Sequence, residues 1–412
     1  MSRPGRLPVE TDDDERIVCH VDADCFYAAC ERLREPKLEG EPVVVGMGYE
    51  AGEPHGAVAT ASYEAREHGV ESAQSIEEAL EHLGRRDVDD PGDGPTAYYR
   101  PVDMDYYEGV SADVESILRE STDIVRKVSI DEAYLDVTER TDWGDIESFA
   151  AGLKTRIADE VGVTVSVGVA PTMSAAKIAS DADKPDGLVV VESGDVRPFL
   201  APMDVERIHN VGPTTARELR EMGIETAGDL AGADPDRLRD RFGERGAAIY
   251  RYARGDDDRE VTPRDDPKSL SRESAFPEPV EDFERICKRV RTLAAAVAER
   301  ASRNGALYGT IGIKVVEPPF DVRTRARSLS GPVDDPDLLE RIAVDLFREF
   351  EGVAVRKIGV RVSNLSFTER EQVSLEGFGD GSTSASEGAR HDEGRTDRSP
   401  EPNGQTSLQD FS

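Results

Sequence analysis

Two pairs of carboxylates set inside apolar sequence constrain this chain more than any other feature. The run 17–21 leads straight into VDADCFYA, and the run 125–129 leads into SIDEAYLD. Both runs have the length and composition of buried strands, and 125–129 with 134–136 reads as a hairpin turning at or near 130–133. Asp22 and Asp24 therefore stand at the end of one strand, and Asp131 and Glu132 at a hairpin. An acid in a chain this acidic is most often solvated. These are embedded in strand sequence and flanked by Phe26, Tyr27 and Tyr134, which argues for partial burial, and buried acids need partners or metals. Carboxylates grouped at strand ends suit phosphoryl transfer by two Mg²⁺ ions, because hard cations take oxygen ligands and can bridge an attacking hydroxyl and a triphosphate.

At 412 residues the chain is too long for one ordinary core and suggests two to four domains. Its 85 acids against 51 bases give a formal net charge of −34, and only 9 of the bases are lysine. Such a surface would repel nucleic acid in dilute buffer. The acids are spread along the whole chain, which points instead to adaptation to molar salt, where the screening length is about 3 Å. Net charge therefore does not exclude a DNA-binding role. No apolar run approaches membrane-spanning length, and the leader MSRPGRLPVETDDDER has no signal-peptide core, so a cytoplasmic protein with no membrane partner is expected. Cys19, Cys25, Cys30 and Cys287 are irregularly spaced and read as reduced, buried thiols rather than a zinc site.

Strands are expected at 17–21, 42–46, 57–61, 125–129, 134–136, 163–169 and 188–191, with helices at 26–33, 63–68, 146–160 and 174–180. This mixture is an α+β sheet domain. The stretch 84–95 (GRRDVDDPGDGP) reads as a loop insertion, 203–255 as wholly helical, and 256–267 (DDDREVTPRDDP) as a linker by composition. A strand (269–274), helix (281–303), two strands (307–316 and 321–329), helix (337–350) and strand (357–367) follow. That β-α-β-β-α-β order suggests a ferredoxin-like or related module. Beyond about residue 368 the composition is that of a disordered tail.

The segments VDADCFYAACE, AVATASYEAREHGV, SIDEAYLDVT, SVGVAPTMSAAKIASDADKPDG and HNVGPTTARELREMGI occur in the order seen in Y-family DNA polymerases, nearest to their DinB branch. The resemblance covers about residues 17–367. It implies a multidomain right hand: palm at 1–33 and 106–201, fingers at 34–105, a helical thumb at 202–256, a linker at 257–267, a little finger at 268–370 and a tail at 371–412. Asp22, Asp131 and Glu132 match the catalytic, metal-binding acids, and the carbonyl of Ala23 matches a further metal contact, for two Mg²⁺ ions per site. Asp24 matches an acid the family does not use as a principal ligand. Tyr27 matches the aromatic steric gate against a ribose 2′-hydroxyl. Phe26, Thr60, Tyr63, Arg66 and Lys184 fall where the family binds the incoming dNTP, its basic groups neutralising the phosphates. Lys184 is the sharper signal, since lysine is rare here.

Asn210, Val211 and Gly212, opening a helix near Pro213, resemble the helix-hairpin-helix loop that grips a DNA phosphate through backbone N–H groups. Asn210 replaces the usual first glycine, and asparagine tolerates left-handed backbone angles. Arg323, Arg325 and Arg327 alternate, so they share one strand face suited to backbone phosphates; Arg356 and Arg361 are weaker candidates. Gln74 and Ser75 depart from the pattern of close relatives near the nascent base pair. In the tail, Gln405, Leu408 and Phe411 resemble the motif that binds a PCNA-type sliding clamp, and a tethered motif gains from local concentration. The reading is a monomeric, low-fidelity translesion polymerase without proofreading, acting on primed template DNA and dNTPs. Two rivals are a palm-fold nucleotidyl cyclase and a non-catalytic DNA-binding protein that recruits the clamp.

Overall fold

The computed structural model describes residues 16–88, 93–263 and 266–367. The chain divides into two compact units, Met1–Asp265 and Asp266–Ser412, a boundary that falls within the expected linker.

The first unit begins with β1 (Val18–Ala23), α1 (Phe26–Arg34), β2 (Val43–Met47), β3 (Ala57–Ala61), α2 (Tyr63–Arg66), α3 (Ile76–His82), β4 (Gly84–Arg85) and β5 (Thr96–Pro101). It continues with α4 (Met104–Ser121), β6 (Ile124–Lys127), β7 (Glu132–Asp136), α5 (Ile146–Glu160), β8 (Val165–Ala170), α6 (Met173–Ser180), β9 (Leu188–Val190) and α7 (Val196–Leu200). One sheet has the order β6-β7-β1-β8-β9, and a second has β3-β2-β5-β4. The expected hairpin is β6–β7, paired antiparallel. The expected loop at 84–95 is shorter than its composition suggests, because Gly84 and Arg85 pair in parallel with Thr96 and Ala97.

β1 is buried along its whole length, so its sequence shows no polar alternation, yet its two faces differ. Cys19, Val21 and Ala23 enter a core with Ala133 and Leu135 of β7, Val165, Val167 and Val169 of β8, and residues of α1, α4 and α5. Successive strand residues point to opposite faces, so His20 and Asp22, Glu132 and Tyr134, and Ser166 and Gly168 share the other face. The register places Asp22 opposite Glu132 on one side and Ser166 on the other. α6 lies on this second face. A Cβ at Gly168 would come within 2.1 Å of the Ala176 carbonyl oxygen and the Ser180 nitrogen, so only glycine lets α6 sit this low.

Four short helices follow, α8 (Pro213–Glu221), α9 (Ala227–Gly232), α10 (Pro235–Phe242) and α11 (Glu244–Ala253), packed in one core with α6. The start of the expected linker is not loose. Asp257 is buried and accepts from Ser174 N–H at 3.0 Å in the first turn of α6, while Arg259 pairs with its carboxylate at 2.7 Å. Burial opposes that charge, but Arg259 and the backbone donors hold the Asp257 carboxyl below its ordinary range.

The second unit has the expected order: β10 (Ser269–Val280), α12 (Phe283–Arg303), β11 (Ala306–Glu317), β12 (Asp321–Val333), α13 (Pro336–Phe347) and β13 (Val355–Phe367). Its sheet is antiparallel throughout in the order β10-β13-β11-β12. Ile311, Ile313, Val315, Ile358, Val360 and Val362 bury one face against α12 and α13. Glu273, Gly359 and Lys314 lie side by side on the opposite face.

Candidate active site

Asp22 stands one residue before the end of β1, on the face where α6 lies. Its carboxylate pairs with Lys184 Nζ at 2.6 Å, and the same ammonium reaches Asp181 at 2.8 Å. Glu132, across the strand pair, is held by Lys177 of α6 at 2.9 Å. His20 lies two residues before Asp22, fully buried, with Nδ1 2.7 Å from Ser180 Oγ and Nε2 3.5 Å from Glu132. Burial pushes the Asp22 carboxyl up to about 7 against the pull of Lys184, and the neighbouring Glu132 adds to the rise. Burial also opposes the charge of Glu132, but His20 and Lys177 outweigh it and hold Glu132 down at about 2. Ligand atoms of His20, Asp22 and Glu132 all lie within 4.8 Å of one another. Two carboxylates on paired strands fit a hard cation. The His20 ring, already engaged by Ser180, is better placed to orient Glu132.

The backbone brings Asp131 in beside them, but its carboxylate is not part of that trio. Ala23 N–H donates to the Asp131 carbonyl at 2.9 Å, and Ser129 Oγ donates to the Asp131 carboxylate at 2.5 Å. Asp131 immediately precedes β7, whose first residue is Glu132. It lies within electrostatic reach of Tyr27, whose phenol is raised by burial first and by Asp131 second. Tyr27 is half-buried in α1 and stacks on Tyr107 at 4.7 Å, and Phe26 beside it is buried. Cys25, with φ of 48°, turns the chain from β1 into α1 in the left-handed region. All four cysteines are buried and free, as their spacing suggests.

Thr60 lies on β3 opposite Val45. Tyr63 opens α2, which is capped by Ser62, and its hydroxyl donates to Asp24 Oδ1 at 3.1 Å. The Arg66 guanidinium stacks over the Tyr63 ring at 4.9 Å, and its Nε donates to the Ala61 carbonyl at 3.0 Å. Asn210 has φ of 69°, the left-handed conformation expected of it, and its carbonyl accepts two bonds from Arg245, at 2.6 and 3.0 Å. Val211 is buried, and Gly212 is the N-cap of α8 with Pro213 in its first turn.

Arg323, Arg325 and Arg327 share a face as expected, but it is the helix-covered one, for they pair with Val315, Ile313 and Ile311. On this edge strand they remain partly exposed, and each has a carboxylate: Glu317 at 2.8 Å, Glu349 at 2.6 Å and Asp345 at 2.6 Å. Alternation alone could not say which face this would be. The opposite face carries a separate basic group, where Glu273 pairs with Lys314 at 3.0 Å and with Lys357. Gln405, Leu408 and Phe411 lie outside the described residues, as does the centre of the 84–95 loop.

Sequence reasoning passed over His20, Lys177, Ser166 and Ser180. Two signals were available. His20 is in phase with Asp22 on β1, and Lys177 is one of few lysines, seven residues before Lys184.

The impB/mucB/samB family matches residues 21–181, its C-terminal domain 267–375, and the thumb domain of DNA polymerase-iota 208–257. DNA polymerase IV of Halobacterium salinarum (strain ATCC 29341 / DSM 671 / R1) is 61% identical over 373 residues, covering 90% of each chain. DNA polymerase IV of Methanoculleus marisnigri is 39% identical over 364 residues, 88% of this chain and 98% of that one. Among solved structures, a Y-family polymerase chimera, Dbh-Dpo4(243-245)-Dbh, superposes with a TM-score of 0.76 at 29% identity, over 85% of this chain and 100% of that one. An insertion ternary complex of Dbh DNA polymerase gives 0.61 at 28% identity with the same coverage.

Proposed function

Given that the chain belongs to the impB/mucB/samB family and is a low-fidelity, translesion Y-family DNA polymerase of the polymerase IV type, we propose that Asp22, Glu132 and Asp131 form its catalytic centre. The observation that carries this is the facing pair Asp22 and Glu132, each already matched to a lysine. The family is metal-dependent, and two Mg²⁺ ions held by Asp22, Glu132, Asp131 and the Ala23 carbonyl would activate the primer 3′-hydroxyl and screen the triphosphate. Lys184 then has two roles in one position. It neutralises Asp22 in this structure, and it would be available to the β and γ phosphates where a bound cation balanced Asp22 instead. Tyr63 and Arg66 form the other wall of the phosphate site, with Thr60 on the neighbouring strand. Tyr27, braced by Tyr107, excludes a ribose 2′-hydroxyl by sterics, with Phe26 fixing its base.

Each unit brings its own grip on primed DNA. In the first, the Asn210–Gly212 backbone at the start of α8 presents N–H groups to a phosphate. In the second, Lys314 and Lys357 present amines on the open sheet face beside Glu273, and Arg323, Arg325 and Arg327 line the edge, where phosphates would displace Glu317, Glu349 and Asp345. No described helix is long and apolar enough to cross a membrane, which fits a cytoplasmic enzyme. The clamp-binding reading of Gln405, Leu408 and Phe411 rests on the sequence, and deleting residues 405–412 should remove stimulation by a PCNA-type clamp while leaving clamp-free extension intact.

The test is primer extension on undamaged and abasic templates in molar KCl with Mg²⁺, comparing the wild type with Asp131→Ala. Template-dependent extension by the wild type alone is expected. Extension by both would remove Asp131 from the metal site. Extension by neither, with primed DNA still bound, would favour a non-catalytic recruiting protein.

A further inference from the structure

Asp24 is buried, 6% exposed, yet it stands outside the trio of potential metal ligands. It is acceptor-only when ionised, and its acceptors are taken. Oδ1 receives the Tyr63 hydroxyl at 3.1 Å, Oδ2 receives the Asp186 N–H at 2.8 Å, and the Ser166 hydroxyl lies 3.0 Å from both oxygens. Asp24 is itself fixed by its N–H, which donates to the Thr164 carbonyl at 2.9 Å. These partners come from three separate parts of the first unit: the start of β8, α2, and the turn DKPDG between α6 and β9.

That turn carries Lys184 and is tight. Asp186 has φ of 57°, and a Cβ at Gly187 would lie 2.4 Å from the Asp183 carbonyl oxygen. Gly187 N–H donates to Ser166 Oγ at 3.1 Å, so Ser166 relays the hold of Asp24 one residue further. From the outer side Lys154 Nζ pairs with the Asp186 carboxylate at 3.0 Å and donates to the Gly187 carbonyl at 2.9 Å. Tyr63 is bounded by Asp24 at its hydroxyl and by Arg66 at its face.

We propose that Asp24 is the positioning residue of the triphosphate site, holding Tyr63 and the Lys184 turn at a fixed separation through one buried carboxylate. The proposal rests on the reading of Tyr63 and Lys184 as triphosphate contacts. Asp24 touches neither phosphate nor cation. It ties the α2 wall to the Lys184 wall, so that both meet the same substrate. Mispositioning of binding groups by about an ångström is enough to cost roughly a hundredfold.

The experiment is steady-state single-nucleotide insertion by the full chain in molar KCl with Mg²⁺, with primed-DNA affinity measured alongside. Asp24→Asn keeps the volume but turns one acceptor into a donor facing another donor. We expect the KM for dNTP to rise roughly tenfold to a hundredfold, with primed-DNA Kd unchanged. In a double-mutant cycle Tyr63→Phe, which removes the same hydrogen bond from the other end, should add less than its own single effect. A purely structural role for Asp24 would give additive losses and weaker DNA binding, and would overturn the proposal. So would an Asp24→Asn enzyme with an unchanged KM while Tyr63→Ala and Lys184→Ala raise it. If those two alanine variants also leave KM unchanged, the triphosphate reading itself falls and this proposal with it. Should Asp24→Asn fail to bind DNA at all, Ser166→Ala decides: a KM rise of about threefold supports the relay, and no rise overturns it.

Discussion

On the five-stranded sheet of the first unit two lysines, Lys184 and Lys177, serve three carboxylates, Asp22, Asp181 and Glu132. On the sheet of the second unit two lysines, Lys314 and Lys357, both pair with Glu273. Both clusters lie on the face of an antiparallel strand pair away from that sheet's main apolar core, and both draw on a residue type present only 9 times in the chain. The first is short of positive charge and calls for a cation. The second gathers amines, the donors that meet an anion. In a chain of net charge −34, local clusters of this kind would direct binding wherever salt screens the rest, the screening length being about 3 Å at molar salt.

The strongest way to break this comparison is to remove an acid from the first cluster. Asp22→Ala should lower primer extension by about a thousandfold or more, equivalent to about 4 kcal/mol of transition-state stabilisation, with primed-DNA affinity unchanged. A variant extending at near the wild-type rate would show that the cluster does not hold the catalytic cation. Gly168→Ala attacks the same cluster from beneath. The added methyl would drive α6 off the sheet, separate Lys177 from Glu132 and cost about 1–3 kcal/mol of stability. Thermal unfolding checks it, and an unchanged melting temperature would mean that α6 tolerates the shift.

Protonation sharpens the contrast. The Asp22 carboxyl is raised to about 7, so its charged form is the minor one below that pH. Protons then compete with the cation, and the Mg²⁺ concentration for half-maximal extension should rise about tenfold per unit as pH falls below 7. A flat Mg²⁺ requirement from about pH 8 to about pH 6 would contradict that competition. The smallest effects belong to the second cluster. Lys357→Ala should weaken primed-DNA binding a few-fold and reduce the salt slope by about one, whereas Glu273→Gln should strengthen it. If both variants weaken binding alike, the cluster is structural and not a phosphate site.

Much of this was legible in the amino-acid order. The strand ends carrying Asp22 and Glu132, the hairpin between β6 and β7, the left-handed Asn210 and the order of elements in the second unit all follow from local pattern. What local pattern does not contain is register and depth. The pairing of Asp22 with Glu132 and not Asp131 depends on how β1 and β7 align. The reach of Lys177 to Glu132 depends on a missing Cβ at Gly168. For the same reason Arg323, Arg325 and Arg327 could be put on one face but not on the correct side of the sheet, since the side is decided by the neighbouring strand. The linker composition of 256–267 concealed Asp257, whose burial depends on an N–H in the first turn of α6, far away in sequence.

The concentration of lysine at two clusters has a practical consequence. With four of nine amines at the sites proposed for metal, nucleotide and DNA, mild acylation becomes a map of occupancy. Nucleotide should shield Lys184, primed duplex should shield Lys314 and Lys357, and Lys37, at 60% side-chain exposure, serves as the unshielded reference. In a protein whose positive charge is otherwise nearly all arginine, a handful of modified peptides would report which half of the substrate is bound.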